Sequence, residues 1–281
     1  MFDFYSRANL HAMMKKRYKL LFCCFLLFLS GCASVPTEPE ALAAYRETND
    51  PLEPMNRKIF AFNMAADKYV LRPVTNGYRA ITTPAFRSKV RTFLSNLKTP
   101  LTVVNDVIQL NLKNAGVDLS RFIINSTLGF FGVFDVADRM GLAPNTQDFG
   151  TTMAVWDVPS GPYLVLPFLG PSNVRDASGK VGDIFLDPFY YASENSDDDS
   201  VKWGFWAIDG VDAVASYENV VDLLDEGKKN SLDFYAYMRS MYQQHRKKTI
   251  QRAKGIKDSD NAKADYDFAL DDEEGDSDED E

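Results

Sequence analysis

The sequence predicts a mainly α-helical protein. Apolar residues recur at helical spacing in successive segments of the body, and neither an alternating strand-helix-strand order nor an internal repeat of about 20–50 residues is present. Proline and glycine concentrate in one middle region of about forty residues, which reads as a structured excursion between helices. The chain has 281 residues, 45% hydrophobic and 13% aromatic, enough for a sizeable core in one domain or two.

The first element is an address. Residues 20–29, "LLFCCFLLFL", form an apolar run about half as long as a helix needs to cross a hydrocarbon core of roughly 30 Å. Lys15, Lys16, Arg17 and Lys19 precede it, with Met13 and Met14 as alternative starts, and Ser30 and Gly31 come after it, which is the layout of a secretory signal peptide over residues 1–31. Leu29-Ser30-Gly31-Cys32 resembles the bacterial lipobox, in which the cysteine thiol receives a diacylglyceryl group and the new amino group an acyl chain such as palmitate. Cys23 and Cys24 would leave with the signal and Cys32 would become a thioether, so thiol catalysis, thiolate metal sites and disulfides are excluded for the mature chain. Two or more acyl chains hold a protein stably on a bilayer. No Asp adjoins Cys32, which by analogy with other bacterial lipoproteins favours the outer membrane.

Residues 32–49 read as a polar linker with Pro36 and Pro39. Asp50-Pro51 and Glu53-Pro54 then offer a helix start, with proline tolerated in the first turn and carboxylates near the positive helix end. In "PAFRSKVRTFLSNL" Phe86, Val90, Phe93, Leu94 and Leu97 share one helix face, and "PLTVVNDVIQLNLKN" carries a second stripe of Leu101, Val104, Val107, Ile108 and Leu112. "VDLSRFIINSTLGFFGVF" is more apolar still. Near the end, "LDFYAYMRSMYQQH" spaces Phe234, Met238, Met241 and His245 as a helix does. No body segment reaches 18 consecutive apolar residues, the length that reads as a transmembrane helix. The helical domain is expected over residues 50–256.

Charge is unevenly spread. The total is −9, of which residues 1–31 contribute +4 and residues 258–281 contribute −12, leaving the body near −1. Residues 257–281, with "DDEEGDSDEDE", are expected to form an acidic, solvated, disordered tail. The basic stretch before it, "HRKKTIQRAKGIK", reads as a helix end or a solvated face; an exported lipoprotein meets no nucleic acid.

Little in the body suggests covalent chemistry. His245 is the only histidine of the mature chain, and Asp135 with Asp138 is a carboxylate pair that more often caps a turn than catalyses. There is no G-x-x-x-x-G-K-[ST] loop and no G-x-G-x-x-G after a strand, so nucleotide-driven work is not expected. No catalytic residue, metal site or cofactor beyond the lipid on Cys32 is expected, and Asn125-Ser126-Thr127 reads as an accidental sequon.

A family resemblance emerges from six ordered blocks between residues 50 and 190. They are "DPLEPMNRKIFAFN", "RPVTNGYR", "FLSNLKTPLTVVNDVIQLN", "RFIINSTLGFFGVFDVA", "DFGTTMAVWDVPSGPYLVLPFLGPSNVRD" and the Asp187-Pro188 pair. Together they resemble the MlaA/VacJ phospholipid-transport lipoproteins, with matching residues that include Asn56, Asn63, Asn96, Arg121, Asn125, Gly129, Gly132, Asp135, Asp148, Arg175 and Asp176. The resemblance implies a ring of amphipathic helices around a central channel. It also implies removal of mislocalised phospholipids from the outer leaflet of the outer membrane, delivery to the periplasmic carrier MlaC, and association with trimeric porins. Gly129, Phe130, Phe131, Gly132, Phe134, Asp135 and Gly141 are expected to form a mobile apolar hairpin at the channel, with glycines as hinges and phenylalanines meeting lipid. The other matching polar residues read as caps and buried hydrogen bonds. Pro54-Met55 departs from the Gly-Phe common in the family, and residues after about 195 match poorly. Two other classes compete: a structural lipoprotein that scaffolds porins without moving lipid, and an anchored hydrolase dependent on Asp135 or His245.

Overall fold

The structure, a computed structural model, describes residues 48–196 and 198–256. The expected signal peptide, Cys32, nearly all of the linker and the acidic tail lie outside the described residues.

Helix α1 (Glu53–Ala66) starts where Glu53 and Pro54 predict, runs through a π-helical turn (Asp67–Leu71) and continues as α2 (Arg72–Ile81). Pro54 is exposed in the first turn, so the departure from Gly-Phe leaves helix entry intact. Thr83 caps α3 (Pro84–Ile108), its hydroxyl accepting from the Phe86 N–H at 3.2 Å. The first apolar stripe and the second as far as Ile108 thus belong to one 25-residue helix that passes through Pro100, whereas Leu112, placed on the second stripe, opens the next helix. Asn111 caps α4 (Leu112–Thr127), Asp135 the short α5 (Val136–Arg139), and Asp148 caps α6 (Phe149–Val155). Later come α7 (Val174–Leu186), α8 (Pro188–Glu194), the 32-residue α9 (Asp199–Asn230) and α10 (Phe234–Ala253), each preceded by an Asp or Asn cap.

The Pro/Gly-rich excursion holds an element the sequence does not announce. β1 (Tyr163–Leu166) and β2 (Gly170–Asn173) form an antiparallel ribbon with Tyr163 opposite Asn173 and Leu166 opposite Gly170. Two asparagines two helical turns apart on α1 splint it. Asn56 donates to the Tyr163 carbonyl at 3.0 Å and accepts from the Val165 N–H at 2.9 Å. Asn63 repeats the pattern on Leu166 O and Phe168 N, at 2.9 and 2.8 Å. An isolated two-stranded ribbon is marginal in water. Here the two amides supply the edge partners a third strand would give.

Packing runs in a closed circuit. α1 packs on β1, β1 pairs with β2, β2 meets α10, α10 meets α6, α6 meets α3, α3 meets α9, and α9 returns through α2 and the π-helical turn to α1. This is the ring-like helical arrangement that the family resemblance implies. α4 lies on α3, α5 on α4, α7 on α6 and α8 on α9 as outworks.

What is buried inverts the ordinary pattern. Among the described residues, twenty buried side chains are polar or charged and nine are apolar, three of the nine clustering as Tyr163, Val165 and Tyr235. Meanwhile Leu110, Leu128, Phe168, Trp203 and Trp206 are each at least 70% exposed. On α3 the buried set is Leu94, Asn96, Thr102, Asn105 and Asp106, whereas Phe86 and Val107 of the predicted apolar faces point outward. Buried charge is tolerated only when paired. Glu218 of α9 meets Arg79 Nε, Arg87 Nε and Arg91 Nη1, each at 3.0 Å, and so ties α9 to α2 and α3. Glu218→Ala would leave three guanidinium groups facing an empty site and is expected to cost about 3–5 kcal/mol of stability. Thermal unfolding in detergent checks this, and a loss near zero would show that the cluster is not a strut of the ring.

Candidate functional site

The glycine-flanked segment singled out by the sequence comes directly after α4. Residues 128–134 coil as consecutive turns rather than pairing as strands, so the expected hairpin is a turn of irregular backbone. Phe130 and Phe131 both adopt the left-handed region, with φ of 52° and 58°, and project outward, 67% and 69% exposed, with ring centroids 5.7 Å apart. Non-glycine residues in that region are strained and persist only where their surroundings hold them. Phe134 is partly exposed and receives the Lys89 ammonium over its ring at 4.7 Å.

The holding is done by the base of the turn. Asn125 donates to Asp135 Oδ1 at 2.9 Å and accepts from the Ala137 N–H at 2.9 Å. Arg121 donates to Asp135 Oδ2 at 2.7 Å and to the Leu142 carbonyl. Burial pushes the Asp135 carboxyl up, but hydrogen bonds from Asn125, the Asp138 N–H and Arg121 outweigh it and hold the group below the usual carboxylate range. Asp135 is therefore an anchored carboxylate, and its Asp138 neighbour supplies the capped N–H. The glycines act by close approach. A Cβ on Gly129 would lie 2.2 Å from the Phe134 carbonyl oxygen, and one on Gly132, whose φ is +89°, would lie 2.4 Å from Asn96 Cβ. Gly141 also has positive φ but stands in open space. The structure thus brings Gly129, Phe130, Phe131, Gly132, Phe134 and Asp135 into one clamped turn, with Gly141 beyond α5.

A second clamp joins α3 and α4. Asp106 of α3 and Asp118 of α4 are both essentially buried, and their side-chain partner is the Asn145 amide, 3.0 Å from Asp118 Oδ2 and 3.4 Å from Asp106 Oδ2. Asn145 passes the chain on to Gln147, which accepts from Gln109; Gln109 donates to Thr152 at 2.9 Å, and Thr152 to Asn105 at 2.7 Å. Burial first, then the facing Asp118, push the Asp106 carboxyl up to about 7. This polar chain crosses from α4 through α3 to α6. The sequence does not reveal it, because polar residues on helices look solvated until their neighbours are known.

Asp148 completes the run. It caps α6 through the Thr151 N–H at 2.6 Å and takes both Arg246 terminal nitrogens at 2.8 Å, while Arg246 Nε lies 2.7 Å from Asp176. His245 is exposed and sits two turns before the end of α10 rather than at it. No helix among the described residues is long and apolar enough to cross a membrane. Arranged this way, the site offers strong internal polar order and a protruding aromatic tip.

The model of a family described as "MlaA lipoprotein" matches residues 48–249, extending the likeness past residue 195, where the sequence blocks alone end. An uncharacterized protein of Rickettsia bellii is 40% identical over 213 residues, 75% of this chain and 81% of its own. The intermembrane phospholipid transport system lipoprotein MlaA of Escherichia coli is 31% identical over 221 residues, covering 76% and 81%. A solved structure described as the structural basis for maintenance of bacterial outer membrane lipid asymmetry superposes with a TM-score of 0.58 at 32% identity, over 72% of this chain and 98% of the other.

The Asp106–Asp118 pair yields a pH prediction. A carboxyl raised in the fold binds a proton that the unfolded chain has already released above about pH 4, so stability falls as pH rises from there through about 7. Asp106→Asn removes this component. Melting temperatures measured from pH 5 to 8 are expected to decline less in the variant, and parallel declines would contradict the shared proton.

Proposed function

The chain belongs to the MlaA lipoprotein family, and we propose that it moves phospholipids between membranes and so maintains outer-membrane lipid asymmetry. One observation carries the reading: a closed helical circuit whose interior is polar and paired while its large apolar side chains face outward. A water-facing protein buries such side chains; exposed apolar area on this scale marks a membrane or partner surface. The same ring would sit in the acyl region of a bilayer without any spanning helix and keep a polar passage inside it.

The physics of the task supports the same reading. Drawing a diacyl lipid of about thirty methylenes into water would cost more than about 20 kcal/mol. A shielded path and a downhill acceptor remove that cost, and neither calls for a catalytic residue. In this proposal lipids enter from the outer leaflet, pass along the ring and are handed to the periplasmic carrier MlaC, with Cys32 acylated and inserted beside the ring and trimeric porins bracing it. Phe130 and Phe131, clamped at their base and bare at their tip, meet the acyl chains at the channel, and Phe134 with its Lys89 neighbour lies at the polar edge.

Deleting the gene is expected to raise phospholipid at the cell surface, measured by outer-leaflet-specific labelling, and the wild-type chain should restore it. An unchanged surface with altered porin complexes would favour the scaffold reading instead. Phe130→Asp with Phe131→Asp places two charges where lipid is proposed, each costing about 2.5–3.5 kcal/mol at a bilayer centre, so restoration is expected to drop by about tenfold or more. Full restoration by this variant would remove the turn from the lipid path.

A further inference from the structure

The basic stretch at the end of α10 forms one wall of a cleft of about 420 Å³. Arg246, Lys247, Ile250 and Lys254 line it at i, i+1, i+4 and i+8, a single helix face, and Tyr163 and Arg175 face them from the ribbon side. The cationic groups are not equally committed. Arg246 and Arg175 are tied to Asp148 and Asp176, and Lys254 reaches Asp157, whose own side chain is 85% exposed. Lys247 and its neighbour Lys248 are exposed and have no ion-pair partner among the described residues. At the floor, Tyr163 is 2% exposed, and its hydroxyl has no hydrogen-bond partner among the described residues.

The last described residue, Ile256, also lines the cleft, so the chain departs from its rim. Beyond it in sequence comes the acidic segment, −12 over residues 258–281. Within that segment, residues 265–270 read Asp-Tyr-Asp-Phe-Ala-Leu, alternating carboxylates with Tyr266, Phe268 and Leu270. Ten residues of extended chain reach about 33 Å, more than the length of this helix face, so position 266 can return to the cleft. Charge sign, the apolar Ile250 and Ile256 and the point of departure all favour one occupant.

We propose that the acidic C-terminal segment of the same chain docks in this cleft through residues 265–270. In that docking Asp265 and Asp267 pair with Lys247 and Lys254, and Phe268 covers Ile250. The docked tail keeps the cationic face from other anions, and because Lys247 is exposed, ionic strength sets its occupancy. Docking of the tail is independent of lipid transport, since it is a contact within the chain.

The test uses the full-length protein in neutral detergent. Zero-length carbodiimide coupling, mapped by mass spectrometry, is expected to join Asp265 or Asp267 to Lys247 or Lys254 within monomers at about 20 mM salt, and about fivefold less at about 500 mM. Chymotryptic cleavage after Tyr266 and Phe268 is expected to speed up about fivefold in the doubly charge-reversed Lys247→Glu, Lys254→Glu variant at low salt. Links found only between two copies, links to none of these lysines, or cleavage indifferent to both salt and charge reversal would each overturn the proposal.

Discussion

Charge buried inside this protein must be paired inside it, and the pairings join elements far apart in the chain. Asp50 takes Arg239 at 2.7 Å and the Tyr235 hydroxyl, tying the entrance of α1 to α10. Asp148 and Asp176 share Arg246, tying α6 and α7 to the same helix. Glu218 with its three arginines ties α9 to α2 and α3. An apolar core would stabilise any close packing; these contacts are directional and close only one circuit. The ribbon belongs to the same logic, since Asn56 and Asn63 hold its edge with the geometry of a strand.

Once polar contacts hold the interior, the apolar side chains are free to face outward. That division of labour is the one the proposed lipid transport requires, with acyl chains outside and polar groups inside. It also explains the Phe130–Phe131 turn. Two phenylalanines in left-handed backbone would relax in an unconstrained loop, but Arg121, Asn125 and Asp135 hold the ends of this one, with Gly129 and Gly132 allowing backbone contact no other residue permits.

Much of this is legible in the residues. The helix start at Glu53 and the helical character of the body are readable from local rules. The glycine-flanked segment can be located but its form cannot: Gly129 and Gly132 suggest hinges, and only the approach of Phe134 and Asn96 shows what they accommodate. Pro100 makes one helix look like two, because a proline's local penalty is visible in sequence whereas the packing that absorbs it is not. "YLVL" and "GPSN" are too short, and the second too poor in strand formers, to announce a ribbon whose support comes from asparagines about one hundred residues earlier. Helical periodicity identifies stripes but does not say which part is buried: of the first stripe Leu94 is buried and Phe86 is exposed.

In the proposed transport the apolar exterior faces lipid. All three tryptophans of the chain, Trp156, Trp203 and Trp206, lie on that exterior at 52%, 74% and 73% exposure. Tryptophan emission from the full-length protein reconstituted in bilayers of acyl-brominated phospholipid measures this contact. Strong quenching by the brominated chains and little by acrylamide from the water side are expected. Emission untouched by bromine and quenched by acrylamide would place those faces in water and contradict it.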